Sequence, residues 1–224
     1  MRLSSTRDVS TVLGYFEALG FGRLPIAVPG AGGMTRGEKA RALEALRVEM
    51  GECRRCKLGK GRKNLVFGEG SPDAEVMFVG EAPGREEDLQ GRPFVGDAGK
   101  LLTSLINRMG FKREEVYIAN IIKSRPPGNR DPEAEEISAC LPFLERQLEI
   151  IAPKVIVSLG RVSAHTLTGL NTPISRLRGH FHSFRGIALM PTFHPAYLLR
   201  NPRAKHLVWS DAKQVLELLG REVK

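Results

Sequence analysis

Four short apolar segments separated by longer amphipathic stretches constrain this chain more than any other feature. The segments are 75–80 (EVMFVG), 116–122 (VYIANII), 154–159 (KVIVSL) and 187–191 (IALMP). Each has the length and residue types of a buried strand. Between the first two, Asp97 is placed to cap a helix carrying Leu101, Leu102, Leu105, Ile106 and Met109 on one face. Before the third, Asp131-Pro132 with Glu133, Glu135 and Glu136 opens a helix as the dipole prefers, and Pro142 is expected to break it, restarting a second helix near Leu141. A last helix is expected from His206 to Leu219. Strands alternating with helices imply an α/β domain: a central four-stranded, mainly parallel sheet flanked by helices.

The flanks of this pattern set the expected boundaries. Residues 1–24 read as one amphipathic helix with Val12, Leu13, Phe16 and Leu19 at helical spacing, and 25–37 (PIAVPGAGGMTRG) as a Pro/Gly linker. The main domain is expected over 38–224, opening with the helical pattern EKARALEALRVEM. No segment approaches the roughly 18–20 apolar residues of a membrane span, so a membrane is not an expected partner. The N-terminus lacks the compact apolar run of a secretion signal, which makes the cytoplasm, near the nucleoid, the expected location.

Ligands of parallel sheets bind at the carboxyl ends of the strands, so the loops there are where chemistry is sought. The first, GEAPG (80–84), holds Glu81 between glycine and proline, where a carboxylate can orient water or face developing positive charge. The second strand carries Asn120, whose amide offers a donor and an acceptor together, and runs into KSRPPGNR, with three cations and no acid. The last loop, TFHPAYLLRNP (192–202), holds His194 pinned by Pro195, a donor for an oxygen that becomes anionic. The other histidines, His165, His180, His182 and His206, are expected to be structural. Lys and Arg outnumber Asp and Glu by 34 to 25, a net charge of +9 that suits a polyanionic partner.

Taken in order, GEAPG (80–84), GRPFVGDAG (91–99), ANIIKSRPPGNR (119–130) and TFHPAYLLRNP (192–202) resemble family 4 of the uracil-DNA glycosylase superfamily, the iron–sulfur type, over about Glu52 to Leu219. The resemblance implies a monofunctional glycosylase that hydrolyses the N-glycosidic bond of uracil in DNA and leaves an abasic site. It implies Glu81 as the carboxylate that positions or activates water, and His194 as the group that stabilises charge on uracil O2. Phe94 would stack the flipped base and Asn120 would read its edge, with Gly80 and Ala82 beside them. Lys123, Arg125, Arg130 and Arg200 are expected on DNA phosphates. A single chain would suffice, and residues 1–37 offer a place for a replication or repair partner.

The resemblance also implies a 4Fe–4S cluster held by four cysteines. Cys53 and Cys56 match the C-x-x-C pair and Cys140 the last ligand, but Ser124 stands at the remaining position, in KSRPP where the family pattern has KCRPP. A serine alkoxide is more basic and harder than a thiolate, so it binds iron less readily. Three outcomes follow: a cluster with Ser124 or water as fourth ligand, a three-iron form, or zinc or nothing. Alternatives from other classes are a protein that traps uracil-DNA covalently, a non-catalytic DNA-binding or redox module, and a glycosylase for another deaminated base such as hypoxanthine or xanthine. The short, histidine-free loop KSRPPGNR speaks against covalent trapping.

Overall fold

The computed structural model describes residues 33–222, so the helix and most of the linker expected over 1–37 lie outside the described residues. Helix α1 covers Arg36–Met50, capped by Thr35, whose hydroxyl accepts from Glu38 N–H while the Glu38 carboxylate returns a bond to Thr35 N–H. The sheet has six strands in the order β1-β3-β2-β4-β6-β5. They are β1 (Glu69–Gly70), β2 (Val76–Gly80), β3 (Tyr117–Asn120), β4 (Val155–Leu159), β5 (His182–Phe184) and β6 (Ile187–Thr192).

The four expected strands form the parallel centre, β3-β2-β4-β6. The two that the sequence reading missed are antiparallel edges, β1 on β3 and β5 on β6. They are two and three residues long. That is too short to show a period, and their pairing is decided by neighbours distant in sequence.

Alternation along the central strands divides the core between two faces. Met77 and Val79 point to the side packed by α1 and by α4 (Ala134–Ile151). Val76 and Phe78 point to the side packed by α3 (Asp97–Arg108) and the C-terminal helix α8 (Lys205–Leu218). The remaining helices are α2 (Arg85–Gln90), α5 (Arg161–Thr168), α6 (Ile174–Leu177) and α7 (Pro195–Arg200).

Two local expectations are corrected. Pro142 does not break its helix: α4 runs unbroken through it. Pro142 itself is exposed, while Phe143, Leu144 and Leu148 beside it are buried, and that burial outweighs the backbone bond the ring removes. Asp97 does not cap α3. Gly96 is the cap residue, and Asp97 sits in the first turn paired with Lys100.

The chain goes from β2 outward to β3, then returns past β2 to β4 and β6 on the other side. The switch in direction therefore lies between β2 and β4, and the crevice above their carboxyl ends is where a ligand is expected in such a sheet.

Candidate active site

A cleft of about 460 Å³ opens at that switch point, and Glu81, Ala82, Phe94, Asn120, His194 and Arg200 all line it. Four separate loops thus converge. Gly80 ends β2 directly behind them. A Cβ on Gly80 would lie 2.4 Å from Asn120 Oδ1 and 2.5 Å from Phe94 Cζ, so only glycine lets the amide and the ring close on the strand end. Phe94 is held at φ 50, an uncommon conformation for an aromatic residue, and its ring is 5.7 Å from the His194 ring.

Asn120 is almost fully buried, and its Oδ1 is the one buried side-chain polar atom among the described residues with no hydrogen-bond partner. A buried acceptor left open is destabilising by roughly 1–3 kcal/mol, which marks it as a place for an incoming donor.

His194 both caps a helix and lines the cleft. The Ala196 N–H donates to its Nδ1 at 3.1 Å, which caps α7. Burial pushes its pKa down to about 4, against the pull of Glu87, with Arg200 lowering it further. A neutral ring whose Nδ1 accepts must carry its proton on Nε2. The fold thereby fixes the tautomer and offers Nε2–H as a donor. Gly160 (φ 89), at the end of β4, makes room for this ring, since a Cβ there would lie 2.9 Å from His194 Cβ.

Glu81 has the opposite perturbation. Burial, and then the nearby Asp131 carboxylate, push its pKa up to about 7, while Arg161 pulls it down. Asp131 and Arg161 form an ion pair with each other at the rim. A carboxylate poised near neutrality can take a proton from water.

Several groups that organise the site carry no signal in the sequence reading. Glu87 accepts from Gly84 N–H at 3.1 Å, Val95 N–H at 2.9 Å and Gly96 N–H at 3.1 Å. One carboxylate so fastens the Glu81 loop to the Phe94 loop. Buried Asp211 accepts from Thr192 Oγ1 and from the Arg178 guanidinium, anchoring the end of β6 just before His194. Leu199 is 48% and Tyr197 38% exposed on α7. The apolar residues that follow His194-Pro195 were visible in the sequence, but their exposure was not.

The expected phosphate contacts are partly overturned. Lys123 is 0% exposed. Its ammonium donates to Asn120 O at 2.9 Å and Gln147 Oε1 at 2.7 Å, and burial pulls its pKa down to about 8. It braces the strand end behind Asn120 and cannot reach a phosphate. Arg130 lines the cleft but is forked onto Glu136, at 2.9 and 2.7 Å, with Glu133 beside it. Arg125 is half-buried and donates to Asn129 Oδ1 at 2.7 Å. Of the other histidines, His165 meets Thr172 O at 2.8 Å and His206 meets Arg203 O at 2.6 Å.

The cysteines come together at the edge of the same core cluster. Cys140 is buried and accepts from Lys123 N–H at 3.3 Å, and Cys53 and Cys56 pack beside it. Burial raises the Cys140 thiol, and the neighbouring Cys53 and Cys56 raise it further. At Ser124 the Arg62 guanidinium donates to the hydroxyl at 3.3 Å and to Cys53 O at 2.6 Å. No three His, Cys, Asp or Glu side chains among the described residues converge on a single metal ion. Ser124, where the family pattern has its remaining cysteine, presents a hydroxyl that already accepts from a guanidinium.

Comparison with known proteins fits this geometry. The profile of the Uracil DNA glycosylase superfamily matches residues 67–213. The chain belongs to that superfamily. It is 48% identical over 186 residues to a type-4 uracil-DNA glycosylase of Sulfurisphaera tokodaii, covering 79% of this chain and 84% of the relative. Similar proteins of the same name occur in Saccharolobus solfataricus, 47% identical over 80% of this chain and 87% of the relative, and in Archaeoglobus fulgidus, 44% identical over 81% and 95%. The superfamily match spans every strand end that lines the cleft, while the cysteine pair lies ahead of it.

Proposed function

We propose that this chain is a uracil-DNA glycosylase, hydrolysing the bond between uracil and deoxyribose and leaving an abasic site for repair. The observation that carries the reading is the open Oδ1 of Asn120 beside the Phe94 ring. Uracil presents an N3–H donor between two carbonyls. An asparagine matches it, accepting at Oδ1 and donating from Nδ2 to O4, whereas the cytosine N3 has no proton to give. The names of the relatives, with identities of 44–48%, support the same substrate.

The residues divide the chemistry between them. The nucleotide must leave the stack to enter the cleft, where Phe94 receives the base face and Asn120 its edge. As the glycosidic bond breaks, the electron pair goes to uracil N1 and charge spreads to O2, where His194 Nε2–H donates. The neutral imidazole stabilises the anion without transferring its proton. Glu81 accepts a proton from water as the oxygen joins the sugar carbon, and its carboxylate faces the cationic sugar in the transition state. With Glu81 lining the cleft as the base, the attacking group is water, and the strand is left intact.

Cys53, Cys56 and Cys140 would hold an iron–sulfur cluster at three corners, with Ser124 near the fourth. Such a cluster would tie the segment after α1 to the loop that follows β3, a structural task, since hydrolysis moves no electrons. One chain carries every group named, so a monomer is sufficient. Its place of work is the nucleoid in the cytoplasm, and residues 1–37 remain the segment for a repair or replication partner.

The test is single-turnover release of uracil from a labelled oligonucleotide, with Glu81→Ala and His194→Ala alongside. An alkali-labile abasic site from wild type and a loss of about a hundredfold or more in both variants is expected. Binding without cleavage at uracil, hypoxanthine or xanthine would remove the enzyme reading.

A further inference from the structure

Among the described residues, the cations lining the cleft are Arg130 and Arg200. Lys123 is buried and Arg130 is neutralised by Glu136 and Glu133, which leaves Arg125 and Arg200 of the four residues expected on phosphates. The strongest unabsorbed charge lies elsewhere. From Cys53 to Gly68 the chain has six cations, Arg54, Arg55, Lys57, Lys60, Arg62 and Lys63, and no Asp or Glu.

A run of like charge is ordinarily a solvated, self-repelling stretch. This one is folded and pinned. A single 3-10 turn spans Lys57–Lys60 with Leu58 buried beneath it. Arg62 ties the loop to Cys53 O and Ser124 Oγ. The N–H groups of Lys63 and Asn64 donate to the buried Asp88 Oδ1 at 2.9 and 3.3 Å, and the Asn64 amide donates to Asp88 O at 2.8 Å. Ser124 begins the loop whose Pro126 and Asn129 line the cleft, and Asp88 follows Glu87, which lines it too. The basic loop is therefore fastened to two walls of the cleft.

Three of its cations are otherwise engaged: Lys57 pairs with Glu133, Arg55 lies over the Phe143 ring at 4.7 Å, and Arg62 is the tether. The other three, Arg54, Lys60 and Lys63, are exposed, and no ion pair or side-chain hydrogen bond holds any of them among the described residues. Charges kept together on a rigid surface repel one another, and a polyanion relieves that repulsion while releasing its counterions.

We propose that the loop from Cys53 to Lys63 is a second phosphate-binding surface, which takes the duplex flanking the nucleotide held in the cleft. The inference rests on the reading that DNA is the substrate. On this view the cysteine corner and the tethers to Ser124 and Asp88 set where the cations stand relative to Glu81 and Asn120.

The experiment measures binding of the full chain to a uracil-free duplex by fluorescence anisotropy across about 50 to 200 mM KCl. Arg54→Gln/Lys60→Gln/Lys63→Gln is compared with Lys112→Gln/Lys154→Gln/Arg221→Gln, which removes as many cations near the amino ends of the strands, away from the cleft. If each of the three loop cations meets a phosphate, the slope of log affinity against log salt flattens by about 2–3, with affinity falling roughly a hundredfold near physiological salt. The far-end variant should keep nearly the wild-type slope. Equal losses in both variants would reduce the effect to net charge, and no flattening in the loop variant would overturn the proposal outright. Urea unfolding of each variant separates lost folding from lost contact, and Lys63→Glu alone should weaken binding without unfolding. Uracil release is scored separately, so flattening without cleavage in wild type would sink the enzyme reading and leave the surface standing.

Discussion

Replacing Glu81 by glutamine should stabilise the protein while disabling it, and only at neutral and alkaline pH. The Glu81 carboxyl sits at about 7 against an ordinary 4.5, chiefly because burial disfavours its charge. Its folded value is raised, so the ionised form is what the fold resists. Below about 4.5 the group is protonated in both folded and unfolded chains and contributes nothing. Between about 4.5 and 7 the unfolded chain loses its proton and the folded one keeps it, so stability falls, and above about 7 the full penalty is present. At about 1.36 kcal/mol for each tenfold in proton affinity, the penalty is bounded near 3.4 kcal/mol. Glu81 lines an open cleft, so solvent screens the effect, and about 1–2 kcal/mol is the expected gain for Glu81→Gln at pH 8.5. The assay is urea unfolding of both proteins at pH 4.5, 6 and 8.5, each with single-turnover uracil release. Wild-type release should rise as pH passes through about 7, because the base must be ionised, and Glu81→Gln should be slow throughout. Equal stability of the two proteins at pH 8.5 would refute the argument that burial at the switch point, rather than a local bond, sets this group.

Gly80→Ala would drive a methyl into Asn120 Oδ1 and the Phe94 ring, and about a hundredfold loss of uracil release with an unchanged circular dichroism spectrum is expected. Lys123→Met leaves Asn120 O and Gln147 Oε1 without their buried donor, so urea unfolding should show a loss of about 2–4 kcal/mol. The salt slope of DNA binding should stay at the wild-type value, since Lys123 touches no phosphate. Leu199→Ala removes an exposed apolar side chain from α7, the helix that His194 caps, and release from duplex DNA should fall about tenfold more than release from single-stranded DNA, where no base has to be unstacked. Ser124→Cys supplies a fourth thiolate, and after anaerobic reconstitution it should bind more iron per chain than wild type; no iron in either protein would end the cluster reading.

The parallel centre of the sheet and the four loops at its carboxyl edge could be read from the residue pattern alone. Central strands are buried on both faces, so they must be nearly continuous apolar runs, and such runs are legible one at a time. Glu81, Asn120 and His194 were legible because each follows or ends such a run, and Phe94 through the motif that contains it. What the sequence could not decide depended on partners far along the chain. The edge strands Glu69–Gly70 and His182–Phe184 exist only because β3 and β6 offer them hydrogen bonds. Lys123 looks like any loop lysine until α4 brings Gln147 over it. Glu87 looks like a surface glutamate until two loops turn their N–H groups toward it. The raised carboxyl of Glu81 and the fixed tautomer of His194 are likewise tertiary facts. A side chain's identity is local, but its solvation and its hydrogen-bond partners belong to whatever the fold packs against it.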